Sequence, residues 1–156
     1  MDEIIDWPER LRRNPYKISF LTGVPYFGPH AKILKNAKSI LERRSKKEVE
    51  RLWSDYYSEI PGENTVEDVY EVAGKYLKWP NNLFVPSDKA GIVFGFIPGI
   101  WIDPEDVIEE ICEKVGVLDP DAIYKLTESI ERDNLLTFFK CLKNIISTFR
   151  VDLTYK

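Results

Sequence analysis

Few residues of this chain are of types that do covalent chemistry, and their spacing does not assemble them. His30 is the one histidine, and Cys112 and Cys141 are the two cysteines, among 156 residues. A nucleophilic centre needs its thiol or hydroxyl within reach of a base that a third group orients. His30 follows Pro29 at an expected helix start, where a capping role accounts for it. Both cysteines fall at packed positions of helical patterns. No CxxC, HExxH, GxSxG, P-loop or GxGxxG segment occurs. Gly95 and Gly99 surround a strand and turn pattern, which does not make a phosphate cradle. The expectation is therefore two reduced core thiols, no disulfide, no metal site and no cofactor. Paired carboxylates remain available, so a small hydrolase working through them is the enzymatic alternative.

Charge offers more than nucleophiles do. Glu105, Asp106, Glu109, Glu110 and Glu113 fall on one side of a helix at about 100° per residue. Five like charges at such spacing repel one another. A solvated face would account for them, and so would a surface that steers and pairs with a basic partner. Glu59, Glu63, Glu67, Asp68 and Glu71 add a second acidic stretch with no Lys or Arg nearby in sequence. The opposite sign is concentrated between Lys32 and Arg51, which holds 8 Lys/Arg and 3 Glu, with Trp53, Tyr56 and Tyr57 close behind. That combination would suit phosphates and stacked bases. The lysines of its first helix, however, lie opposite the apolar stripe and are explained by solvation.

A fourth segment, Trp79 to Asp88, is loop-like yet carries Trp79, Leu83 and Phe84. The plainer reading is a hydrophobic plug that fixes a helix crossing. The functional reading is an exposed aromatic docking loop with Trp79 and Phe84 as anchors.

The elements that must position these residues are mainly helical. The chain is 44% apolar and 31% charged, an ordinary globular balance, and long enough for one domain with its own core. Residues 1–29 carry Pro8, Pro15, Pro25 and Pro29, so no long helix fits, although Tyr16 to Phe20 alternates like a short strand. This aromatic segment is expected to pack over the helical core. Ile33, Leu34, Ala37, Ile40 and Leu41 form one stripe of a helix over 30–44. Ser45 and Glu48 have capping-box spacing, which predicts a second helix over 46–59, stopped by Pro61-Gly62. Thr65 is expected to cap a third that runs to about Trp79. Ile92, Phe94 and Phe96 alternate and predict a strand over 91–97. Asp103-Pro104 and Asp119-Pro120 are helix starts, with Gly116 a stop between them. The helix from about Asp133 to Phe149 is apolar around half its circumference and should be central. Val151, Leu153 and Tyr155 suggest an edge strand.

The acidic N-terminus, broken by Trp7-Pro8, is unlike a signal or transit peptide. The longest apolar run, Gly91 to Ile102, contains Pro98 and is too short to span a bilayer. A cytoplasmic location is expected. The net charge of −4 is uneven: residues 1–58 hold 12 Lys/Arg against 8 Asp/Glu, and residues 59–156 hold 10 against 18. The molecule should carry a strong dipole.

Trp79-Pro80, then Leu83-Phe84-Val85-Pro86-Ser87-Asp88, then a short apolar run and an acidic helix, resembles small bacterial proteins with a W-P…F-x-P-x-D pattern. Some of these look like immunity proteins that neutralise a toxin made by neighbouring cells. The likeness covers about residues 65–116. It implies a protein that occludes its partner's active site or docking surface. The helix order from residue 65 onward also resembles an acyl-carrier-type bundle, with Asp103 where that family has its Asp-Ser attachment site. Pro104 replaces the serine, which excludes phosphopantetheine attachment there.

The sequence reading is thus a single-domain, mainly α bundle of about six helices with a minor strand element at 16–21, 91–97 and 150–155. Its expected function is non-catalytic binding of a basic protein, in the form of toxin neutralisation. The expected contact residues are Glu105, Asp106, Glu109, Glu110, Glu113, Trp79 and Phe84. The alternatives are a carboxylate hydrolase and a nucleic-acid binder acting through residues 32–51.

Overall fold

Short-range chemistry sets most helix boundaries. The computed structural model describes residues 3–8, 29–97 and 103–153. Helix α1 spans Pro29–Arg43 and α2 spans Lys46–Ser54. Between them Ser45 is extended, and its hydroxyl accepts from the Glu48 amide at 3.3 Å. Helix α3 is Glu63–Leu77 and α4 is the single turn Ala90–Val93. Helix α5 (Pro104–Val115) and α6 (Pro120–Arg132) open as expected. The Asp103 and Asp119 carboxylates accept from the amides of Glu105 and Ala122. Gly116, left-handed at φ 77, closes α5 while the Val117 amide donates back to the Cys112 carbonyl at 2.9 Å. Helix α7 is Leu135–Leu153.

The described residues form the expected mainly α bundle, with seven helices, and three finer expectations are corrected. Thr65 does not cap α3: it lies inside the first turn, and Gly62 stands at the cap with no side-chain bond. Helix α2 stops at Ser54, and residues 55–59 are turns. The minor strands are absent from the described residues, apart from one antiparallel bridge between Lys89 and Asn134. The 16–21 segment and Tyr155 lie outside the described residues, while α7 continues through Val151 and Leu153.

The strand expected at 91–97 fails for an identifiable reason. Every residue from Ala90 to Ile97 is buried, so the Ile92–Phe94–Phe96 alternation does not mark an inner and an outer face. A fully buried apolar run reads the same in either state. Its amides are satisfied locally instead. Val93 donates to Lys89 and Phe94 to Ala90, and left-handed Gly95 (φ 80) lets the Phe96 amide return to the Gly91 carbonyl at 2.8 Å.

Helix α7 is central, as its wide apolar arc requires. Leu135, Phe138, Phe139 and Leu142 are completely buried. Phe138 packs on Phe94 (centroids 4.7 Å) and on Phe139 (5.3 Å). Phe139 meets Tyr70 of α3 (5.7 Å) and Trp53 of α2 (5.9 Å) edge to face. Each such fully buried side chain stabilises the fold by roughly 1.5–3 kcal/mol relative to exposure. The aromatic set therefore ties α2, α3, α4 and α7 into one core.

The Trp79–Asp88 loop organises the rest. Trp79 Nε1 donates to the Val93 carbonyl at 3.0 Å, and Phe84 is wholly buried against Tyr70 and Trp79. Asn81 donates to the Leu41 carbonyl near the end of α1, which the Arg44 amide also reaches, and accepts from the Leu83 amide. Asp88, completely buried, accepts from the amides of Ile5 and Val85 and binds the guanidinium of Arg44. Its own carbonyl accepts from the Leu135 amide at the start of α7. One residue thus joins the N-terminal segment, the α1–α2 junction, the loop and the central helix.

Candidate binding surface

Two features of the surface have the makings of a site: an acidic helix pair and a groove beside it. Helix α5 buries Val107, Ile108, Ile111, Cys112 and Val115. Its remaining arc holds Glu105, Asp106, Glu109 and Glu113, all exposed, and Glu110, half-buried. The expected one-sided distribution is what the helix presents.

Helix α3 packs against α5, and cross-helix ion pairs show that the two run antiparallel. Lys75 of α3 reaches Glu110 at 2.9 Å, while Lys114 of α5 reaches Glu71 at 3.4 Å. Tyr76 also donates to Glu110, at 2.5 Å. These bonds change the role expected of Glu110. Tyr76 first, and Lys75 next, hold its carboxyl below the usual carboxylate range. The same bond, aided by desolvation and the negative charges of Glu110 and Asp106, raises the Tyr76 phenol to about 12. Glu110 is therefore a helix–helix fastener, and the open charges of α5 are Glu105, Asp106, Glu109 and Glu113.

The second acidic stretch is not without cations once the chain is folded. Besides Glu71, Glu59 lies 3.4 Å from Lys140 of α7. Lys143, one turn further along α7, donates to the Ser58 carbonyl. The 55–59 turns are thus held down by two lysines from the far end of the sequence.

That pinned turn forms one lip of a groove of about 690 Å³ between α2, the start of α3 and the loop. Its walls are Val49, Trp53, Ile60, Pro61, Val66 and Leu83, with the ring of Tyr70 and the fully buried Phe84 behind them. Tyr57, 58% exposed, stands at the mouth. Trp53 is fixed in the wall by its Nε1 bond to the Phe84 carbonyl at 2.7 Å. Charged residues at the groove are Glu50, Glu63 and Glu67 against Lys46. Burial pushes the Tyr70 phenol up strongly, with the Asp88 charge adding and Arg44 opposing. It is a neutral surface at any physiological pH.

The other residues expected at a site fall as follows. Trp79 and Phe84, at 9% and 0% exposure, are core residues, so the loop presents neither as a docking anchor. Phe84 still contributes from beneath to the groove. In the basic stretch, Arg44 is withdrawn into the core and Arg43 pairs with Glu3 at 2.6 Å, which leaves exposed lysines on α1 and α2. Cys112 is buried and Cys141 half-buried, and neither is in a disulfide. The side chain of His30 lies outside the described residues. Among those described, no group of three His, Cys, Asp or Glu is placed to hold a metal ion, and no helix is long and apolar enough to cross a membrane.

The groove was not recognised from the sequence. Its signal was the change of phase after Arg44, where Val49 and Trp53 leave the stripe of α1. That change is the mark of two helices facing different neighbours. No protein-family model matches the chain, and no curated protein or solved structure matches it significantly.

Proposed function

We propose that this chain is a non-catalytic binding protein that docks a basic protein, in the form of a cytoplasmic toxin-neutralising partner. One observation carries the reading. The solvent arc of α5 is built of carboxylates, of which Glu110 is held by Lys75 and Tyr76 while Glu105, Asp106, Glu109 and Glu113 face solvent. Crowding like charges on one helix face costs a few tenths of a kcal/mol per pair. A basic partner offsets that cost and is drawn in faster by the field. The likeness of residues 65–116 to immunity-type proteins favours neutralisation as the outcome. The two free thiols suit a reducing compartment.

The test is capture with the tagged chain at low salt, followed by association kinetics on the protein captured. The expected result is one stoichiometric basic partner, released by salt. Replacing Glu109→Lys and Glu113→Lys together should slow association, most of all at low ionic strength. An on-rate indifferent to that double reversal removes the α5 face from the proposal. Failure of the complex to block any activity of the partner removes neutralisation.

A further inference from the structure

We infer that the groove between α2 and α3 receives an apolar side chain flanked by lysine or arginine, and so forms the anchor pocket of the interface. The inference rests on the binding role proposed above and names the chemistry that the partner's docking segment must have. Its basis is separate, since none of the α5 carboxylates lines the groove.

Two properties of the groove select the occupant. Its walls are aliphatic and aromatic, and they are bonded to other elements of the fold. Trp53 is locked to the loop carbonyl, and the lip is held by Lys140 and Lys143 of α7. A preformed apolar pocket favours an inserted side chain because little ordering remains to be done on binding. Exposed Tyr57 at the mouth is the kind of residue that closes over such an anchor.

Charge then sets the flanks. Glu50 belongs to the α2 wall and Glu63 and Glu67 to the α3 wall, so carboxylates stand on both sides, with Lys46 the opposing charge. Lys46 stands one turn before Glu50 on the α2 wall and balances it, so the excess negative charge lies on the α3 wall, where Glu63 and Glu67 attract the cations of a docked segment and repel an acidic one. Glu63 and Glu67 lie at helical spacing from Glu71, whose partner Lys114 belongs to α5, so α3 carries the wall of the groove and one side of the acidic helix pair.

The test uses the full chain and two blocked synthetic peptides with a common Leu-Phe centre. One has two lysines on each flank and the other two glutamates. Binding is followed by methyl NMR at Val49, Ile60 and Val66. The lysine peptide should shift these methyls and bind about ten-fold or more tightly than the glutamate peptide, an electrostatic preference that fades with salt. Glu63→Lys with Glu67→Lys, both on the surface, should abolish the preference without unfolding the chain. The Glu109→Lys, Glu113→Lys variant should retain binding at the groove. Equal binding of both peptides, or shifts confined to α5, overturns the inference. The second of these results would leave the acidic-face proposal standing. Groove shifts by the lysine peptide, together with a captured partner indifferent to α5 reversal, would do the opposite.

Discussion

The Arg44 guanidinium and the Asp88 carboxylate meet as a two-pronged pair inside the fold, Nη1 to Oδ2 at 2.6 Å and Nη2 to Oδ1 at 2.7 Å. Their side chains are 2% and 0% exposed. Neither charge could be buried alone. Further bonds hold the pair: the two Arg44 terminal nitrogens also donate to the carbonyls of Glu3 and Leu83, and Asp88 accepts from two amides, while the buried Arg44 Nε has no hydrogen-bond partner among the described residues.

Removal of either partner should therefore be severe. Asp88→Ala leaves a buried guanidinium and two orphaned amides, and should cost about 3–5 kcal/mol in urea denaturation. Arg44→Lys should also destabilise, because an ammonium cannot reproduce the fork. Replacing both by apolar residues should recover only part of the loss, since the Ile5 and Val85 amides stay unpaired. A double variant as stable as the parent would show that those amides find other acceptors.

Gly74 sits within α3, and a Cβ added there meets nothing within 4 Å. Glycine in a helix interior costs roughly 0.5–1 kcal/mol against alanine. Gly74→Ala should raise stability by about that amount and leave partner binding unchanged. Thermal unfolding at matched concentration checks it. A loss of stability would mean that α3 is not helical at this position in solution.

The Tyr76–Glu110 bond gives stability a defined pH dependence. A tyrosine in the unfolded chain ionises near 10.0, and the folded Tyr76 near 12. The folded state thus binds more protons between these values. Its advantage is complete below 10 and is lost as pH rises through about 12. Glu110 has the opposite sign. Its lowered value contributes stability above the ordinary carboxylate range, lost as pH falls through the folded value. Tyr76→Phe should weaken the acid limb and shift the Glu110 titration upward by NMR. An identical Glu110 titration in both proteins would sink the assignment.

Cys112 and Cys141 should differ in reactivity. Burial, and then the Glu109 charge, push the Cys112 thiol up to about 11. Cys141 is raised as well, again mainly by burial, but is partly accessible. Under native conditions an alkylating reagent should label Cys141 first, and Cys112 only through unfolding. Adding denaturant should abolish the difference. Rapid native labelling of Cys112 would place α5 in an open equilibrium.

Sequence by itself determined what neighbours along the chain decide. Ser45, Asp103 and Asp119 each sit at the helix boundary their side chains predict, and Gly116 at the stop its left-handed backbone allows, because caps are satisfied by near neighbours in the chain. The α5 carboxylate arc and the central place of α7 were legible from periodicity for the same reason. Tertiary structure alone decided the rest. The pairing of Arg44 with Asp88 spans 44 positions, and nothing local distinguishes either from a surface charge. The one-turn helix at Ala90–Val93 replaced an expected strand because burial on every side erased the periodic signal. Glu110 became a fastener, and Glu59 and Glu71 gained cations, only when helices distant in sequence came together. The W-P…F-x-P-x-D segment was visible as a motif. Its work as the hub of the fold arises from amides and charges contributed by residues 5, 44 and 135, which no spacing within the motif encodes.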